Sequence, residues 1–284
     1  MTVPEKWVDK ITISDKCRHL VNDDDVLRYL RNLPYDCSPL EKTAFESWAM
    51  TAVQEATNIL RQKVGLTPVR ISSDRFLIVS QLPIDESLLH RTENVETSVE
   101  GFVSYCYLYA QRQARPQVFL AILAHEMIHL NCYKEAYVSL VAGETEPLMI
   151  IRRNGYGINH LSGQRDFFGL NEAITERLAR IVLKIIDRRY SLSIVDDLKR
   201  IAVAYEEHTS MLQTLVSFVA RHSSVPHPVL MRRMTQNNFD GGNDFMVLLE
   251  SVIGEAGLEM LRTVSGCDSS VIQAVRQFKD LGIL

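Results

Sequence analysis

His125-Glu126-Met127-Ile128-His129 follows directly on an unbroken apolar run, Val118-Phe119-Leu120-Ala121-Ile122-Leu123-Ala124. Pro116 suits a first helical position, where no backbone N–H is needed. The apolar run predicts a helix over about 116–134 that is buried nearly all round. Histidines four apart project from one helical face, about one turn apart. Two imidazoles so placed reach one metal ion at about 2.0–2.1 Å. Glu126 is offset around the helix and is free to hold the attacking water and take its proton, as the general base of a zinc hydrolase does. A Glu and two His entering a buried helix need partners, because unsatisfied buried polar groups are costly. A metal supplies them. The bland alternative is a helix that turns these three side chains to solvent after residue 124.

Catalytic zinc takes three protein ligands and leaves a fourth position open. Downstream, Asn171-Glu172-Ala173-Ile174-Thr175-Glu176 opens a helix predicted to run to about Arg189, with Asn171 as its N-cap. Ile174, Leu178, Ile181, Val182, Ile185 and Ile186 form its buried stripe. Glu172 and Glu176 are four apart and share a face. One carboxylate could complete a metal site. The other could accept a hydrogen bond from the outer N–H of a ligand His, which fixes its tautomer and raises its basicity. The alternative is an exposed helix start with Glu176–Arg180 as a surface ion pair.

H-E-x-x-H followed by N-E-x-x-T-E resembles the gluzincin branch of the zincin metallopeptidases. In the thermolysin-like members of that branch a second helix carries N-E-x-x-S-D. Its Glu is the third zinc ligand and its Asp supports a ligand His. The resemblance implies Zn²⁺ held by His125, His129 and Glu172, with Glu126 as base, Glu176 as the supporting carboxylate and Thr175 in place of Ser. The interval between His129 and Glu172 is longer than is common in that branch. The extra length holds the Arg152–Leu170 segment, expected to be an inserted extended element walling the substrate cleft. The resemblance covers about residues 75–190, only the two motifs are specific, and the run as a whole resembles an uncharacterised bacterial zincin-like group.

The metzincin pattern needs Gly-x-x-His soon after the first motif. This chain has Leu130-Asn131-Cys132-Tyr133-Lys134-Glu135 instead, which leaves His160 as the distant alternative third ligand. An oxyanion formed during hydrolysis needs a donor opposite the zinc. Tyr156, His160 and Arg165 are candidates by their position on the insert, with Tyr156 and His160 taken as the catalytic pair. The competing reading packs Tyr156 and His160 against a sheet.

Around these motifs the rest of the chain reads as helices with a few strands. Asn22 and Asp23 cap a helix ending near Asn32. Ser38-Pro39-Leu40-Glu41 forms a capping box that opens a long helix stopping at Gly65. Residues 74–80 and 101–111 read as strands, with Tyr105, Tyr107 and Tyr109 on one face of the second. Residues 84–98 are polar and read as loop or extended chain. Beyond Tyr190, helices are expected at about 193–222, 228–236, 243–253, 255–264 and 269–280.

The expected architecture is therefore α+β: a zincin-like domain over 1–190 with N-terminal helices, a small sheet and the buried motif helix, then a C-terminal helical region, 191–284, packed on it. A net charge of −4 without a basic block argues against nucleic acid as a partner. No apolar run approaches the ~18 residues of a membrane span, so no membrane partner is expected. Met1-Thr2-Val3-Pro4-Glu5-Lys6 shows no secretory h-region. Five scattered cysteines, an odd number without C-x-x-C, suit reduced thiols in a cytoplasm. Cys132 is read as packing. These features lead to an expected zinc metallopeptidase acting on a peptide or protein substrate, of undetermined oligomeric state. The alternatives are a catalytically inactive zincin-fold binding or regulatory module, and a structural zinc site.

Overall fold

The apolar run ahead of His125 becomes the central helix of a mixed α+β fold. The computed structural model describes residues 3–32, 37–82, 101–104, 106–140, 146–192, 206–265, 268–280 and 282. In chain order the elements are β1 (Lys10–Ile13), α1 (Asp23–Arg31), α2 (Ala44–Lys63), β2 (Phe76–Val79), β3 (Gly101–Ser104), β4 (Tyr107–Gln111) and α3 (Pro116–Asn131). They continue with β5 (Lys134–Ser139), β6 (Leu148–Asn154), β7 (Gly157–Asn159), β8 (Arg165–Asp166) and α4 (Phe168–Tyr190). The chain then forms α5 (Glu206–His222), α6 (His227–Asp240), α7 (Asp244–Thr263) and α8 (Asp268–Asp280).

The strands make two sheets where one was expected. A three-stranded sheet has the order β2-β4-β3, with β2 parallel and β3 antiparallel to β4. A five-stranded sheet has the order β1-β5-β6-β7-β8, in which β1 runs parallel to β5 and the later pairs are antiparallel. The expected strand over 101–111 is two antiparallel strands, β3 and β4. Tyr107 and Tyr109 do share a face, packed with Leu77, Val79 and Leu82. β1 went unforeseen because its few residues pair with β5, more than a hundred residues away, and carry no local signal of their own.

One apolar cluster runs from α2 (Ala49, Val53, Leu60) through α3 (Phe119, Leu123, Met127) and α4 (Ile174, Leu178, Val182) into Leu215, Met234, Phe245 and Phe278. The C-terminal helices thus share the core of the preceding region. Burying such side chains is the main force holding α3 and α4 face to face. Among the described residues no helix is long and apolar enough to cross a membrane.

Several boundaries move. α2 begins at Ala44, not after Ser38, because Thr43 and Glu46 exchange side-chain and backbone hydrogen bonds as its capping box. Gly65 follows its end at φ +89°, a conformation that costs glycine little. α4 begins at Phe168, so Asn171 is no N-cap. The free N–H groups of that first turn find partners at the far end of α7: Phe167 donates to the Arg262 carbonyl and Gly169 to that of Val264. Glu172 consequently lies inside a fixed helix. α7 is one element interrupted at Gly254, where φ is +71°, the break expected between 253 and 255. The polar stretch 84–98, Tyr105, residues 193–205 and Cys267 lie outside the described residues.

Candidate metal centre

α3 and α4 carry the two motifs and pack against one another with His125, His129 and Glu172 between them. The His125 Nε2 is 3.1 Å from Glu172 Oε2, the His129 Nε2 is 3.3 Å from the same oxygen, and the two Nε2 atoms are 3.2 Å apart. Four ligands held tetrahedrally at about 2.05 Å stand about 3.3 Å from one another. The three donors therefore already have the spacing of one face of a zinc tetrahedron. Their chemistry fits as well. Either a proton on an imidazole Nε2 or a cation shared by all three can satisfy two imidazole nitrogens and an anionic oxygen that converge, and a metal does so with both imidazoles neutral. Burial opposes charging Glu172, but His129 and His125 outweigh it and hold the carboxyl far below the ordinary range.

The outer nitrogens are held by the same helix. His125 Nδ1 lies 3.2 Å from Glu176 Oε2. A carboxylate only accepts, so Nδ1 carries the proton and Nε2 is left to face Glu172. Burial favours neutral Glu176, but hydrogen bonds from His125 and Arg180 prevail and its pKa is lowered. Burial likewise opposes charge on His125, yet Glu172 and Glu176 lift its pKa well above the usual imidazole value. The other histidine has a weaker partner: Thr175 Oγ1 lies 3.5 Å from His129 Nδ1. At the end of α3, the Lys134 ammonium and the Cys132 thiol both donate to the His129 carbonyl, the thiol at 2.9 Å. A cation at a helix C-terminus is favourable there. Cys132 is thus engaged at the helix end, and Asn154 Oδ1 is a second acceptor within reach of the same S–H.

Glu126 is buried beside both histidines. Its pKa is raised, chiefly by burial and against the pull of His125 and His129. Among the described residues no hydrogen-bond donor reaches its carboxylate. It is a proton acceptor next to three convergent metal donors and not committed to a protein partner.

The other candidates sit apart. Tyr156 is buried, donates its hydroxyl to the Met234 carbonyl at 3.0 Å and packs edge-on to Phe245, while burial lifts its pKa well above the phenol range. His160 pairs with Asp166 at 2.8 Å, and Asp166 also receives Gln164 and Arg262. Arg165 lies over the Phe168 ring. None of Tyr156, His160 or Arg165 makes a hydrogen bond or ring contact with the His125, His129 and Glu172 cluster. A third-ligand role for His160 is likewise not supported by its position, since the group that converges contains Glu172. Asn171 is buried and accepts the Tyr156 backbone N–H at 3.0 Å, tying the β6–β7 turn to α4.

Thr175 and Lys134 were not singled out for these contacts from sequence. The Thr175 contact was accessible, since that residue sits three past Glu172 on the same helical side. Lys134 lies in a strand, and only the turn of the chain after α3 brings it back. No family model, curated protein or solved structure matches this chain.

Proposed function

We propose that the chain is a zinc-dependent metallopeptidase of zincin-like, gluzincin type. One observation carries this reading: three donors from two helices converge at ligand spacing beside a buried Glu126 that no hydrogen-bond donor reaches among the described residues. His125, His129 and Glu172 would hold the metal, and Glu176 would orient His125. Zinc supplies Lewis acidity there, polarising a peptide carbonyl and lowering the pKa of water towards about 7. Glu126 accepts the proton of the attacking water and returns it to the leaving amine. Its burial makes it a stronger base than an exposed Glu, as that double duty requires. The substrate is a peptide or protein, and the cytoplasm is the proposed location, on the strength of an odd number of scattered cysteines without a C-x-x-C motif.

The test is zinc content together with hydrolysis. Protein stripped of metal and reconstituted with zinc is expected to hold about one ion per chain and to cleave members of a peptide library. Failure to retain zinc would remove the metal centre. Zinc retention without cleavage of any peptide or denatured protein would favour a binding module on the same scaffold.

A further inference from the structure

The two histidines of the centre are oriented by unequal partners. His129 meets a neutral hydroxyl at 3.5 Å, whereas His125 meets a carboxylate at 3.2 Å. That carboxylate has two oxygens, and both are in use. Glu176 Oε2 faces His125, while Oε1 accepts from Arg180 Nε at 2.8 Å. The Glu176 side chain is 9% exposed and that of Arg180 is 39% exposed. A line of contacts therefore runs from the protein surface to a metal ligand: guanidinium, carboxylate, imidazole, and then Glu172.

We propose that Arg180 is a positioning residue for His125, acting through Glu176. The proposal rests on the metal-centre reading above. A glutamate has three rotatable bonds, and only one oxygen of Glu176 is fixed by His125. Arg180, one helical turn on, takes the other oxygen and holds the carboxylate plane. With Arg180 removed, Oε1 turns to water and the carboxylate samples rotamers that no longer meet Nδ1. His125 then loses its fixed tautomer and ring angle, both of which metal binding requires. Loss of the nearby positive charge also makes Glu176 a stronger acceptor, which acts in the opposite direction. That effect is screened at a side chain as exposed as Arg180, so loss of orientation dominates.

The test is a double-mutant cycle read as zinc affinity. Wild type, Arg180→Gln, Arg180→Lys, Glu176→Gln and the double variant Arg180→Gln/Glu176→Gln are stripped of metal. Each is titrated with zinc against a chromophoric chelator. Arg180→Gln is expected to weaken zinc binding by about tenfold, the lower end for groups one step removed from a metal. Arg180→Lys, which keeps the charge but not the planar guanidinium, recovers part of that loss. In the Glu176→Gln background the Arg180→Gln change has no further effect. A purely structural Arg180 would lower the melting temperature of the metal-free protein and leave zinc affinity unmoved. Unchanged affinity in Arg180→Gln overturns the proposal, as does an equal loss in both backgrounds. If wild type itself binds no zinc, the metal centre falls and this inference falls with it.

Discussion

Replacing Glu172 by Ala removes the one donor that both histidines share. Its Oε2 stands 3.1 Å from one Nε2 and 3.3 Å from the other, and the residue is 4% exposed, so solvent has little room to substitute. Four-ligand zinc sites bind with about 10–16 kcal/mol at neutral pH, or about 2.5–4 kcal/mol per ligand. At about 1.4 kcal/mol per tenfold, losing one ligand weakens binding by about 10²–10³-fold. The anionic ligand should lie at the upper end. Glu176→Ala, which removes the carboxylate at the outer nitrogen of His125 and none of the three converging donors, should weaken zinc by about 10–100-fold. Competition with a chromophoric chelator measures both, and far-UV circular dichroism confirms that each variant is folded. Wild-type affinity in Glu172→Ala would refute the ligand assignment. A larger loss in Glu176→Ala than in Glu172→Ala would reverse the roles of the two carboxylates.

Other perturbations separate the site from its scaffold. Tyr156→Phe removes the hydroxyl that donates to the Met234 carbonyl and should cost about 0.5–1.5 kcal/mol of stability with zinc affinity unchanged. A large fall in turnover without loss of stability would instead return Tyr156 to catalysis. Gly169→Ala places a methyl 2.4 Å from Val264 Cγ1 and 2.7 Å from the Ser265 carbonyl. It should destabilise the fold by about 1–3 kcal/mol and also weaken zinc, because it displaces the start of α4 that carries Glu172. A variant with wild-type melting and zinc binding would show that this junction does not set the site. Burial opposes the charge on Glu46, but hydrogen bonds from Arg112 and Thr43 prevail and depress its pKa. A depressed carboxyl contributes stability above its unfolded pKa of about 4.3 and loses it as pH falls through the folded value. Glu46→Gln should therefore be less stable than wild type at neutral pH, and the two should converge in acid, as followed by melting temperature against pH.

The motif helix and the face shared by Glu172 and Glu176 were legible because both follow local rules. Pro116, the apolar run and the fourfold spacings set helix phase without help from elsewhere. What was not legible depends on distant chain. α4 starts at Phe168 because the end of α7 supplies its first acceptors, and nothing near residue 168 records that. Thr43 won over Ser38 as the cap of α2 because Glu46 is also drawn to Arg112, at the end of β4. Arg180 read as half of a surface ion pair, and in geometry it is one. Its importance comes from the other oxygen of Glu176, which meets a histidine 51 residues earlier. Tyr156 and His160 were attractive as donors because they lie on the insert between the motifs. Sequence order could not show that the β6–β7 turn points Tyr156 into the core against Met234.

Glu126 bears the central claim, since it separates a hydrolase from a metal-binding scaffold. The most direct measurement is peptide turnover by zinc-loaded Glu126→Gln beside zinc-loaded wild type, with zinc content determined on the same samples. The substitution keeps the size of the side chain and removes its basicity. The account predicts equal zinc in both proteins and turnover lower by several orders of magnitude in the variant. Equal turnover at equal zinc content would contradict it.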